Sequence, residues 1–286
     1  MSIDTSALIW YTAYNMYAGT TIHGKSGAVM GVHQKIDRIS RRHLKSLIKN
    51  DKQFPGIRAI LHFEGNNGPD AIKRKSPSVD EPWHYINPEV ADDRELVNMI
   101  NDHYDNLVAA LRAENHERAA FEAAWMAHAI TDGLTPAHHY PLSEKIEELW
   151  GKPKEERLTI RDKNIIPGNN RRETISKNWQ YWGAKGVFLT HGLFEHGIAT
   201  SIVAGNFSTA APKDAWLRTA ATAGLENVFL NAVHEIYALD MYERFWKQGW
   251  NARLARETRT KLIPLICNVI TFAWQAAYKE ALGGKH

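Results

Sequence analysis

Cysteine is almost missing from this chain: Cys267 stands alone in 286 residues. That excludes an intrachain disulfide and a cysteine-ligated zinc finger, so any zinc must rest on nitrogen and oxygen ligands, and it fits a reducing compartment. Net charge is scarce too. At +3, with 35 Lys and Arg set among 32 Asp and Glu, the composition does not announce a nucleic-acid binder. Long apolar runs are absent. The longest, Leu262 to Ala277, is broken by Pro264, Asn268, Thr271 and Gln275; it is too short and polar for a typical membrane span and predicts a buried core helix. The first residues, Met1 to Trp10, lack a basic stretch followed by a clean apolar one. No signal peptide is therefore visible, and a full-length chain of this kind is expected to be cytoplasmic. There is also no convincing alternating strand, no internal repeat and no low-complexity tract.

What is present is helical period. Apolar residues recur at helical spacing over Val29–Ile48, Gly56–Phe63, Asp92–Ala113, Glu117–Asp132, Leu142–Leu149, Val187–Val203, Lys213–Gly249 and Leu254–Leu282. Together with a hydrophobic content of 44%, this predicts an all-α fold: one compact multi-helical domain over residues 1–286. The charged, turn-rich stretch at about 150–180 reads as a surface insertion. The basic run Arg41-Arg42-His43-Leu44-Lys45 reads mainly as a solvated helix face, with phosphate contact as the alternative. From Asp51 to Asn87 the chain is rich in Gly, Pro and Asn. An irregular segment of that length inside a compact domain usually has a functional task.

The histidines carry the chemistry. His128 and Asp132 stand four apart in an Ala-rich run, so both side chains leave one helix face about a turn apart, close enough to grip one cation. His138 follows after Gly133 and Pro136, which interrupt or redirect the helix and let a third ligand turn back. His191 and Glu195 repeat the four-residue spacing. The irregular segment delivers Asp70 and then His84, flanked by Trp83 and Tyr85, and His33 sits in the first turns of the Val29 helix. Among fourteen histidines, one or two such pairs arise by chance. Any one of them alone also reads as a polar helix end or, for His84, as a histidine packed between aromatics.

Taken in order, Gly68-Pro69-Asp70, Pro82-Trp83-His84-Tyr85-Ile86-Asn87, His128-x3-Asp132-x5-His138 and His191-x3-Glu195 resemble the superfamily of zinc-dependent phospholipases C and single-strand-specific zinc nucleases. The resemblance spans about residues 28–204. It implies a zinc cluster at the bottom of a cleft, with two to three ions per chain. Asp70, His84, His128 and Asp132 would hold the first zinc, and His138, His191 and Glu195 the second. Asp132 would reach across to a third with His33, and Asp70 would also orient or deprotonate the attacking water.

Two features depart from the family pattern. A mature N-terminal Trp normally gives its amine and carbonyl to the third zinc. Here Met1 leads, and Trp10, thirteen residues before His23, is internal. His23 could replace the missing amine or be a plain loop histidine. Thr135, not Gln, precedes Pro136. The implied activity is phospholipase C-like hydrolysis of a phosphodiester by a metal-activated water. Glu195 and the lack of disulfides lean toward that branch over a single-strand nuclease or nucleotidase. The implied partners are a phospholipid or other phosphodiester and a transient membrane-surface contact, with no stable nucleic-acid complex. Family members are usually secreted. A non-catalytic helical metal-binding protein is the reading from another class.

Overall fold

A computed structural model describes residues 31–64, 67–70, 84–140, 142–153, 156, 165–183 and 186–283. Trp10, His23 and Trp83 lie outside them. The described residues form helices and no strand, so the all-α expectation holds.

The helices are α1 (Val32–Lys45), α2 (Ile57–His62), α3 (Glu95–Arg112), α4 (His116–Gly133), α5 (Leu142–Trp150), α6 (Arg171–Trp182), α7 (Val187–Ile202), α8 (Asp214–Ala223), α9 (Leu225–Tyr237), α10 (Met241–Gln248), α11 (Ala252–Glu257) and α12 (Ile263–Leu282). The helical period over Lys213–Gly249 resolves into α8, α9 and α10. The breaks fall at Gly224 and Asp240, whose φ values of 81° and 52° leave the right-handed helix.

The apolar run after Leu262 is the buried core helix expected. In α12, Ile266, Val269, Ile270, Ala273, Trp274 and Ala277 are buried, and its neighbours are α1, α3 and α4. Pro264 lies inside an almost continuous helical path. It cannot donate to the carbonyl four residues back, and the chain meets this with a π-helical turn over Thr258–Leu262 that joins α11 to α12. Trp274 buries its ring and still satisfies its indole N–H, which donates to the Ala123 carbonyl at 3.1 Å.

Small residues let α4 sit at the centre. Ala119, Ala120, Ala123, Ala124 and Ala127 are fully buried, so the backbones of α3 and α12 come close. On α1, Ile36, Ile39 and Leu44 point into the same core, each worth about 1.5–3 kcal/mol by burial.

One expectation needs correction. The basic run on α1 is not a solvated face throughout, because Arg41 and His43 are buried. Arg41 is held inside by Asp51 at 2.7 Å and by the Pro55 carbonyl at 2.7 Å, which offset the loss of water. The stretch at about 150–180 also contains the regular helix α6. Its start is fixed by Asn170, which accepts from the Glu173 amide at 3.0 Å, while Glu173 accepts from the Asn169 amide at 2.7 Å. Trp150, Ile166 and Tyr181 form a small core of their own, against which Phe188 of α7 packs.

Candidate metal centre

Six short stretches of backbone bring the candidate ligands together, Asp70 among them from 67–70. His33 comes from the first turn of α1, His128 and Asp132 from the last turns of α4, His138 from the 3₁₀ turn Pro136–His139, and His191 and Glu195 from α7. Extended backbone at 84–87 adds His84. That segment is tied to the 3₁₀ turn from both sides: the Ile86 amide donates to the His138 carbonyl at 3.2 Å, and His138 Nδ1 is 2.6 Å from the His84 carbonyl.

Asp132 is the centre. Its Oδ1 lies 3.3 Å from His33 Nε2 and 3.9 Å from His138 Nε2. Its Oδ2 touches His84 Nδ1 and lies 3.1 Å from His128 Nε2. Asp70 stands further off, 4.0 Å from His84 Nδ1 and 3.8 Å from His128 Nε2. Glu195 Oε1 is 3.1 Å from His138 Nε2 and 2.9 Å from His191 Nε2. Every candidate ligand in the described residues is thus drawn into one cluster.

Three sets of donor atoms are close enough to hold a metal ion: His33, His128 and Asp132; Asp70, His84 and His128; and His138, His191 and Glu195. The last matches the expected second site. The expected first site is split between two sets that share His128, and Asp132, a member of one, also touches His84 of the other. All these residues are buried except Asp70, which is intermediate. Buried imidazoles and carboxylates without cysteine are a donor set that suits zinc and similar divalent ions.

The charges are strongly coupled. Burial alone would lower the proton affinity of His128 and raise that of Asp132, but their mutual attraction wins. Asp132, Glu64 and Asp70 hold His128 well above the usual histidine range. His128, His138 and His33 hold Asp132 well below the usual carboxylate range. Against the same opposition from burial, Asp132 and Glu195 raise His138, while His191 and His138 bring Glu195 down to about 2. An ion would replace those protons.

Glu64 was not legible as a site residue. It follows α2, is buried, and places Oε1 2.9 Å from His128 Nδ1. With Nδ1–H donated to Glu64, the His128 Nε2 lone pair faces the cluster, as Nδ1–H donation to the His84 carbonyl does for His138. The partner lies 64 residues away in sequence, and no spacing motif marks it.

Thr135, where the superfamily that the motifs resemble commonly carries Gln, has a structural task. Its hydroxyl donates to the Thr131 carbonyl at 2.8 Å, closing the end of α4. His23, the candidate for the third ion, lies outside the described residues.

Fold and cluster define a class: an all-α protein whose buried His, Asp and Glu groups could hold metal ions. No family model matches the chain, and no curated protein or solved structure matches it either. No helix among the described residues is long and apolar enough to cross a membrane.

Proposed function

We propose that the chain is a zinc-dependent phosphoric ester hydrolase of phospholipase C type, related to the superfamily that its motifs resemble and binding two to three zinc ions. The observation that supports this most is Asp132, one buried carboxylate with His33 and His138 facing one oxygen and His84 and His128 the other. Zinc ions gathered around it would neutralise a phosphodiester and make water acidic enough to attack at neutral pH.

The residues of the chain do the positioning. Glu64 and the His84 carbonyl turn His128 and His138 so that Nε2 of each faces inward. Asp70, with a side chain 15% exposed, is the most open of the carboxylates. From the rim it would orient the attacking water and take its proton. The water oxygen would bond to phosphorus as the phosphorus–oxygen bond to the alcohol breaks, and the proton taken by Asp70 would pass on to the alcohol oxygen, leaving free alcohol and the headgroup phosphate.

The test has two arms. Metal analysis of the purified protein is expected to give two to three zinc per chain. Asp132→Asn should lose activity and at least one ion, and Glu195→Gln a different one, as located by anomalous diffraction. The zinc form is then assayed on choline or ethanolamine phospholipid and on single-stranded nucleic acid. Cleavage of the nucleic acid alone would favour the nuclease branch; cleavage of neither would remove the substrate assignment. A well-prepared protein that binds no zinc and is equally stable in chelator would remove the site itself.

A further inference from the structure

Large exposed apolar side chains are scattered over this surface, but α6 carries two of them one turn apart: Ile175 is 60% exposed and Trp179 70%. Arg171 lies one turn before Ile175 and Arg172 seven residues before Trp179, both exposed, so at helical spacing the four form one outward stripe. The packed side of the helix is anchored. Asn178 exchanges hydrogen bonds with the backbone of Ile166, at 3.1 and 2.7 Å, and Tyr181 is buried. The stripe itself carries no acid. Glu173, on the far side of the helix from the stripe, is engaged by Lys177 at 3.3 Å and by the Asn169 amide. The helix also sits next to the cluster: Tyr181 packs against Phe188 at 5.3 Å between ring centroids, and Phe188 is three residues before His191 on α7.

We propose that the Arg171–Arg172–Ile175–Trp179 stripe of α6 docks this protein on a phospholipid surface that contains anionic lipid. The identity of the partner rests on the phospholipase reading above. Tryptophan favours the headgroup boundary, where its ring is in apolar surroundings and its N–H is wet, and the two guanidinium groups complement lipid phosphates. Both apolar side chains project from the convex side of a single helix, which suits insertion between headgroups better than closure on a folded protein partner. Docking through α6 would hold α7, with His191 and Glu195, near the surface.

Sedimentation of the full-length protein with phosphatidylcholine vesicles, with and without phosphatidylserine, tests this without any need for catalysis. The wild type is expected to bind the anionic vesicles more tightly, and raised salt should weaken that binding. Ile175→Ser with Trp179→Ser should lower partitioning at least about tenfold. Arg171→Gln with Arg172→Gln should do so by roughly tenfold on the anionic vesicles only. All four positions are exposed, so thermal melting and zinc content should stay as in the wild type, as should hydrolysis of a monomeric short-chain phosphodiester. Vesicle binding unchanged in both double variants overturns the proposal, as does wild-type binding to a polyglutamate peptide but not to vesicles. Stripe-dependent vesicle binding by a protein that cleaves no phosphodiester would support the docking surface and sink the function; cleavage of the monomeric substrate without vesicle binding would do the reverse.

Discussion

His138 and His139 are neighbours in one 3₁₀ turn, and their surroundings drive them in opposite directions. His138 meets carboxylates and gains proton affinity. His139 is buried away from them, its Nε2–H donating to the Gly133 carbonyl at 2.8 Å, and burial pushes it down to about 4. A folded pKa below the unfolded value of 6.5 means that the neutral ring stabilises the fold fully above about pH 6.5, and that this stability is lost as pH falls toward about 4. The difference amounts to about 3 kcal/mol. His139→Gln keeps a donor for Gly133 and does not titrate, so its denaturation free energy should decline less than the wild type's between pH 6.5 and 4. Parallel declines would show that His139 is not the group responsible. Glu64 gives the second residue-scale prediction. Glu64→Ala should weaken zinc binding by roughly 10–100-fold, as loss of the carboxylate behind a ligating histidine typically does, and Glu64→Gln should weaken it less. Competition against a chromophoric chelator measures this, and an Ala variant with wild-type affinity would remove Glu64 from the metal's support.

At the scale of elements, α4 holds the site only because its last turn fits tightly between α3 and α9. A Cβ on Gly133 would come within 2.5 Å of the Phe229 ring and 2.7 Å of Leu96, both fully buried. Glycine here permits close packing beside Asp132 as well as marking the helix end. Gly133→Ala should destabilise the protein by about 1–3 kcal/mol through overpacking, and adding Phe229→Leu should restore part of the loss. Strict additivity of the two in urea denaturation would contradict the contact. The pattern of what the sequence revealed follows from the range of each interaction. His128 with Asp132, and His191 with Glu195, are one helical turn apart, so spacing alone put each pair on one face. The long apolar run after Leu262 likewise revealed a core helix despite Pro264. The helix α6 was missed although its local signal, Asn170 three residues before Glu173, was present; the charged residues around it masked a weak apolar period. Arg41 read as solvated because its burial depends on Asp51 and on carbonyls across a loop. Glu64 depends on contact with a helix far along the chain.

For the whole molecule, protons and any bound metal ion would compete for one set of atoms, and the cited shifts give the direction of that competition. In the metal-free protein His128 and His138 have raised folded pKa values. Their stabilisation is therefore fully present below the unfolded value of about 6.5 and is lost as pH rises through the folded values. Asp132 and Glu195 are depressed, so theirs is present above the unfolded carboxylate values near 4 and is lost as pH falls through the folded ones, about 2 for Glu195. His139 adds its own loss between about 6.5 and 4. For these groups together, stability without metal is greatest near pH 6.5. Zinc requires neutral imidazoles, so its binding here would expel the protons on His128 and His138, and its contribution would grow with pH. Because the candidate ligands join α1, α4, α7 and the stretches that carry Asp70, His84 and His138, that contribution would also be folding energy. The expected result is a melting temperature that rises on adding zinc by a small amount at pH 5 and by a much larger one at pH 8, with the optimum of the zinc form above that of the metal-free form. Calorimetric titration in buffers of different ionisation enthalpy should detect proton release at neutral pH. A zinc-induced shift that is the same at both pH values, with no protons released, would mean that any bound zinc lies elsewhere than between these histidines.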